Sequence, residues 1–305
     1  LLVSDEQRLP AGAPAVLVAD TRQALGQLAA AWRAQFTLPL IAVTGSNGKT
    51  TTKEMIASIL EAAYPGAVLA TRGNFNNDVG LPLTLLGLHA GHRAAVVEMG
   101  MNQPGEIAYL TQLARPTVAL VNNAQRAHLQ GMGDLAEIAR EKGSIFTGLT
   151  TAGVAVFNAD DAQSAVWQAQ VDAAGQRSLR FAVNQPAEVR GTLTQQGLDF
   201  LLALQTPAGE AQLVLPVPGR HNAVNALAAT AACLAAGIAL PQVVAGLQSF
   251  RGVKGRLQRR QGQQGAQILD DTYNANPDSV RAGIDVLAST IGKKILVLGD
   301  MGEIG

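Results

Sequence analysis

The chain has 305 residues, an apolar fraction of 48% and 23 basic against 23 acidic side chains. Zero net charge excludes a partner held by bulk electrostatics, so neither nucleic-acid binding nor membrane insertion is expected, and any anionic ligand must be gripped locally. The length predicts about two domains, and a charged fraction of 15%, against a usual share of about 25%, allows a large core and points to surface missing from the chain.

Cys233 is the single cysteine, so no intrachain disulfide or multi-cysteine zinc site is available and a reducing, cytoplasmic setting is expected. The amino end shows no signal-peptide pattern. Both ends interrupt a pattern, and the chain is expected to be incomplete. Its long uncharged stretch, 223–250, is mostly alanine broken by Gly237 and Pro241, and predicts two soluble helices in place of a bilayer span.

In chain order, residues 1–35 read as the tail of a preceding domain. Apolar runs at 40–44, 67–70, 94–98, 117–122 and 154–157 alternate with helical patterns such as 51–63 and 106–114. That alternation predicts an α/β domain over 36–250, a mostly parallel sheet with helices on both faces. From 177 to 216, short alternating runs broken by glycine and proline predict antiparallel hairpins at its edge. Helices resume at Asn222. The cluster Arg251-Gly-Val-Lys-Gly-Arg256 reads as a linker, and strand–helix–strand patterns at 266–270, 279–288 and 294–298 predict the start of a second α/β domain over 251–305.

The first core strand runs directly into Gly45-Ser46-Asn47-Gly48-Lys49-Thr50-Thr51 and a helix. Unpaired backbone N–H groups and the positive end of the helix dipole converge there on one anion. Lys49 adds a point charge for β- and γ-phosphates, and the Thr50 hydroxyl suits Mg²⁺. Val43 stands where a full phosphate-loop pattern has its first glycine, and the bland alternative is a tight turn with a chance Gly-Lys-Thr.

Glu98 ends an apolar strand at the ligand-binding edge of such a sheet and is a candidate Mg²⁺ ligand or a solvated acid. His128 follows the 117–122 strand on the same edge, as a ligand or a surface histidine. Lys142 shares a helical stripe with Leu135, Ile138, Ala139, Ile145 and Phe146, so it faces inward. It must snorkel, pair, lose its proton, or be converted to a carbamate that acts as a carboxylate.

Seven strings in one order resemble a known family, the ATP-dependent Mur ligases of bacterial cell-wall synthesis: TGSNGKTTT, VVEMG, NNAQRAHLQG, EKGSIF, GRHNAVNALAA, GRLQ and DDTYNANPDS. Within it, Gly73-Asn-Phe-Asn-Asn-Asp-Val-Gly-Leu-Pro82 and Tyr273-Asn-Ala-Asn-Pro277 are similar to the branch that joins D-Ala-D-Ala to UDP-MurNAc-tripeptide. The resemblance implies three domains, a UDP-binding one, a central ATPase and a Rossmann-like one that is only begun here. It implies ATP and two Mg²⁺ ions, with Lys49 and Thr50 on phosphates and metal, and Glu98, His128 and Lys142 on metal, Lys142 as a carbamate. It further implies Asn222 at the adenine, and Arg256 and Asp271 closing onto phosphates and ribose about a hinge at 252–255. Asn222 has an alternative as a helix N-cap, and Asn74, Asn76 and Asn77 are either substrate-facing or turn-formers. A sister Mur ligase, a folylpolyglutamate synthase, or a P-loop ATP-binding module without ligase activity are the competing readings.

Overall fold

The computed structural model describes residues 1–5, 12–125 and 134–301. Two short strands, β1 (Leu2–Val3) and β2 (Val16–Leu17), pair in parallel ahead of the main body. Helix α1 (Thr21–Arg33) starts at Asp20, whose carboxylate accepts from the amides of Arg22 and Gln23. That side chain supplies acceptors for amides that the first helical turn leaves unpaired. The sequence reading had not identified this helix. It packs on the sheet's outer layer, where the Trp32 indole donates to the Leu88 carbonyl at 3.0 Å.

Among the described residues the main sheet has nine strands. Its parallel centre is built by β3 (Leu40–Thr44), β4 (Val68–Ala70), β5 (Ala94–Glu98), β6 (Val118–Val121), β7 (Val154–Asn158) and β8 (Arg177–Ala182). It is extended by β9 (Val189–Gln196), β10 (Asp199–Thr206) and β11 (Gly209–Leu215), giving the order β11-β10-β9-β8-β7-β6-β3-β5-β4. β3 and β5 are buried at every residue, as expected of strands covered on both faces.

The two-residue strand period divides their side chains between two cores. Ile41, Val43 and Val96 face Met55, Ile56, Ile59 and Leu60 of α2 (Lys49–Ala63), together with the alanine-rich α7 (Arg220–Ala235) and α8 (Leu240–Ser249). Leu40, Ala42, Ala95 and Val97 face α3 (Gly80–Leu86), α4 (Glu106–Ala114), α5 (Leu135–Gly143) and α6 (Ser164–Ala173), in which Trp167 is fully buried. The uncharged 223–250 stretch thus lies mainly in two helices against the sheet. Among the described residues no helix is long and apolar enough to cross a membrane.

Two expectations are corrected. The 177–216 region is not hairpins throughout: β8 runs parallel to both β7 and β9, and antiparallel pairing begins at β9–β10. β9 meets only the last two residues of β8, so a short link suffices, and the Asp160 carboxylate accepts from the amides of Val183, Asn184 and Gln185 in that link. The 294–298 segment forms no strand, and Ile295 and Val297 are 70% and 86% exposed. A strand needs ladder partners, and the described residues supply none to this run.

The last part of the chain forms a separate antiparallel pair, β12 (Gln258–Gln261) with β13 (Gln267–Asp270), then α9 (Pro277–Ala288). α9 begins with a reciprocal capping box between Asn276 and Ser279 and Pro277 in its first turn, which explains why it starts two residues earlier than the apolar pattern indicated.

Candidate functional site

A cavity of about 800 Å³ opens beyond the carboxyl ends of the central parallel strands, between them and the segment carrying Arg256, Asp271 and Asn276. Open α/β sheets place ligands on this edge.

The 45–51 turn forms its floor. Gly48 sits at φ 77°, and a Cβ there would come within 2.5 Å of Asn225 Oδ1 and 2.8 Å of Asn122 Nδ2. Only glycine satisfies both the backbone angle and the contact. α2 starts directly at Lys49 with no side-chain cap, so the first amides of the helix face the cavity as an anion seat. The loop is braced from below: Ser46 N donates to Asn123 O at 3.1 Å, Asn47 N to Asn123 Oδ1 at 2.9 Å, and Ser46 Oγ to Gln125 O at 3.0 Å. The Lys49 ammonium donates to the Gly45 and Ser46 carbonyls at 2.8 and 3.1 Å.

A chain of buried amides, largely missed by the sequence reading, joins this turn to α7. Asn122 Nδ2 donates to Asn47 O at 3.1 Å and to Asn225 Oδ1 at 2.8 Å; Asn225 Nδ2 donates to Asn222 Oδ1 at 3.2 Å; Asn222 Nδ2 donates to Pro218 O at 2.7 Å. The N-cap alternative for Asn222 is overturned, because Gly219 is the cap residue and Asn222 lies inside the first turn. The available signal for Asn225 was its spacing of three from Asn222 in an otherwise apolar run, which places both on one helical face.

Glu98 is 2% exposed, which overturns the solvated-acid alternative. Its Oε1 accepts from Asn76 Nδ2 at 2.8 Å, while its buried Oε2 has no partner among the described residues. Lys142, also 2% exposed, lines the cavity without reaching the outer surface. Its ammonium is held well below the usual lysine range, first by burial and then by the Lys49 charge, against a smaller upward pull from Glu141. The Glu141 carboxylate accepts from the amides of Gly105 and Ile107, each at 2.9 Å, tying α5 to the start of α4 and fixing where Lys142 stands. His128 lies outside the described residues.

Arg256 Nη2 donates to Thr50 Oγ1 at 3.0 Å, and its guanidinium stacks 4.2 Å over the Tyr273 ring. Asp271 Oδ1 accepts from Leu257 N at 3.1 Å, and burial raises its carboxyl above the usual range. Asn276 Nδ2 donates to Asn47 Oδ1 at 2.8 Å, a second direct tie from this segment to the turn. All three asparagines of the 73–82 string line the cavity; Asn76 also donates to Glu98, and Asn77 Oδ1 accepts from Gly80 N at 2.8 Å at the start of α3. The turn-forming hydrogen bond expected for Asn77 is thus present.

The donor set fits a hard cation beside a polyphosphate. Among the described residues no three His, Cys, Asp or Glu side chains gather as a preformed metal cluster. Magnesium requires none, since it binds through one or two carboxylates while substrate phosphates and water fill the rest. The unpartnered Glu98 oxygen supplies such a position, and the Thr50 hydroxyl can supply another.

Partly buried His221 lines both this cavity and a smaller neighbouring one. Burial lowers its imidazole from 6.5 to about 4. As pH falls the unfolded chain takes up this proton first, so the stability carried by neutral His221 is complete above about pH 6.5 and lost as pH falls through about 4. A His221→Gln variant is expected to show a shallower decline in urea midpoint across that window than the parent. Parallel declines would remove the role.

Two family models cover most of the chain: the Mur ligase middle domain over residues 43–233, and the Mur ligase glutamate ligase domain over 255–305. The chain belongs to the Mur ligase family. This Mur ligase chain is 45% identical to the UDP-N-acetylmuramoyl-tripeptide--D-alanyl-D-alanine ligase of Escherichia coli K12, over 96% of its own length and 64% of that protein's. Its backbone superposes on a crystal structure of MurF from Acinetobacter baumannii with a TM-score of 0.93 at 41% identity, covering 100% of this chain and 66% of that one. A MurF ligase from Thermotoga maritima in complex with ADP matches with a TM-score of 0.81 at 27% identity, over 94% of this chain and 65% of that one. The chain therefore spans just under two thirds of the length of these relatives.

Proposed function

We propose that the protein containing this chain is an ATP-dependent ligase that joins D-Ala-D-Ala to UDP-MurNAc-tripeptide in the cytoplasm. One observation carries the chemistry: an uncapped helix start, a Glu98 oxygen without a partner among the described residues, and a Lys142 whose pKa is lowered first by burial and then by the Lys49 charge line a single cavity. The identity to UDP-N-acetylmuramoyl-tripeptide--D-alanyl-D-alanine ligases supports the choice of substrates. In this reading, residues 1–35 are the tail of a UDP-substrate domain, 36–250 the ATPase domain and 251–305 the beginning of a Rossmann-like domain.

A carboxylate and an ammonium do not condense unaided near neutral pH, because the carboxylate oxygen is a poor leaving group. The tripeptide carboxylate attacks the γ-phosphorus in line, the bond to the β-phosphate oxygen breaks, and ADP leaves. The dipeptide amine, once deprotonated, attacks the acyl carbon, and the C–O bond to phosphate breaks. Positioning and charge stabilisation supply most of the rate in such transfers. The α2 amides and Lys49 seat the phosphates; Asn222 and the cavity wall near His221 receive the adenine side. Arg256 leaves Thr50 for the phosphates, Asp271 meets the ribose, and Asn74 faces the acceptor.

Thr50, Glu98, His128 and Lys142 would hold two Mg²⁺ ions, which when bound neutralise charge on the transferring group. Lys142 fits this set as a carbamate. Its depressed pKa favours the neutral amine that reacts with CO₂, and the resulting anion would replace like-charge repulsion from Lys49 with attraction.

The test follows oxygen. With ¹⁸O in the tripeptide carboxylate, one label is expected in the phosphate released on ligation. ATP consumption with unlabelled phosphate would overturn the acyl-phosphate reading, and turnover without any acceptor would favour an ATP-hydrolysing module.

A further inference from the structure

Asn76 lies in a loop between β4 and α3 and is fixed from several sides. Its amide nitrogen donates to Asn74 O at 2.7 Å, and its own carbonyl accepts from Gly100 N at 2.8 Å. A Cβ at Gly100 would come within 2.9 Å of Asn76 Oδ1, so the bare Gly100 backbone admits the amide group. From this seat Asn76 Nδ2 reaches Glu98 Oε1 at 2.8 Å.

The other end of Glu98 is equally constrained. Its backbone amide donates to Thr71 Oγ1 at 3.0 Å, and the Thr71 carbonyl accepts at 2.8 Å from Lys53, a lysine fully buried in α2. The residue is thus held at its backbone and at one carboxylate oxygen, which makes the two oxygens unequal. Oε1 is occupied by a neutral donor; Oε2 is buried and unpartnered among the described residues.

We infer that Asn76 is the positioning residue of the metal-facing carboxylate: its amide holds Oε1 so that Oε2 points at a divalent cation. The inference rests on the reading of Glu98 as a Mg²⁺ ligand. The chemistry of the donor is what matters. A lysine or arginine in this place would also orient Glu98 but would neutralise the charge that attracts the metal, whereas an amide orients it and leaves that charge intact. This use of the Asn76 amide competes with the substrate-facing role expected from the sequence.

The experiment measures Mn²⁺ affinity by electron paramagnetic resonance in the whole protein with ADP present, for Glu98→Gln, Asn76→Ala and Asn76→Ser. The serine hydroxyl is too short to span to Oε1, so both Asn76 variants are expected to loosen Mn²⁺ about tenfold or more. Metal-free ADP affinity should stay at the parental value, which also shows that the loop has folded, and Glu98→Gln should loosen Mn²⁺ at least as far. If Glu98→Gln loosens Mn²⁺ while both Asn76 variants bind it as the parent does, the positioning role is overturned and the metal reading stands. A raised KM for the acceptor with parental Mn²⁺ binding would place Asn76 on the substrate side. Parental Mn²⁺ binding in Glu98→Gln would remove the metal reading itself.

Discussion

Replacing Lys142 by alanine is expected to lower kcat by about 10³-fold, the scale on which enzymes lose rate when a preorganised charge beside the reacting group is removed. Lys142 is buried, and the charge of a second lysine, Lys49, acts against its own. An ammonium kept there for stability alone would be poorly placed, since burial and like charge both oppose it. If the group acts as a carbamate, the alanine variant leaves a cavity open to a small carboxylic acid. Acetate or propionate should then restore part of the rate while leaving the inactive Lys49→Ala variant unaffected. Full activity in the alanine variant would remove the role, and loss without rescue by any short acid would leave Lys142 acting as an amine.

Gly48→Ala is expected to produce the other large effect. A non-glycine residue in the left-handed region costs roughly 1–2 kcal/mol, and the new methyl group must also displace Asn225 Oδ1 or Asn122 Nδ2. Those atoms belong to the buried amide chain behind the loop, so moving them breaks hydrogen bonds between largely buried groups. A total loss of about 2–4 kcal/mol is expected, together with a loss of ATP affinity, because the α2 amides shift with the turn. Gly66→Ala is the control: it has φ 70° with nothing within 4 Å of the added Cβ, so it carries the backbone strain alone. Urea unfolding and calorimetric titration with ATP separate the two. Equal losses in both variants, with parental ATP affinity in Gly48→Ala, would show that the close approach to Asn225 has no weight.

Elements whose stability is local or whose burial is continuous were readable in advance. The patterns at 40–44, 94–98 and 106–114 coincide with β3, β5 and α4, because a strand covered on both faces must be apolar throughout and a proline and glycine pair marks the start of α4. The inward stripe of α5 likewise placed Lys142 in the interior. Elements defined by a distant partner were not readable. The 294–298 run has strand composition but no ladder, and β12, with the polar sequence Gln-Arg-Arg-Gln, has a ladder without strand composition. β12 is held by β13 and by ion pairs of Arg259 with Asp199 and Arg260 with Asp270.

The division is sharper at the site. Sequence alone determined that a glycine turn between a buried strand and a helix presents unpaired amides, because a helix start leaves them unpaired whatever surrounds it. It also determined the family, because several short strings in one order are specific together. Tertiary structure decided which of the polar residues near that turn do what. Asn76, Asn77, Asn122, Asn222 and Asn225 share one side chain and differ only in their neighbours: a carboxylate, a helix start, a loop carbonyl, or another amide. A hydrogen bond depends on atoms within about 3 Å, and for Asn76, for Asn122 and for the acceptor side of Asn225 the partner is distant in sequence, at Glu98, at Asn47 and at Asn122, so packing assigns those roles.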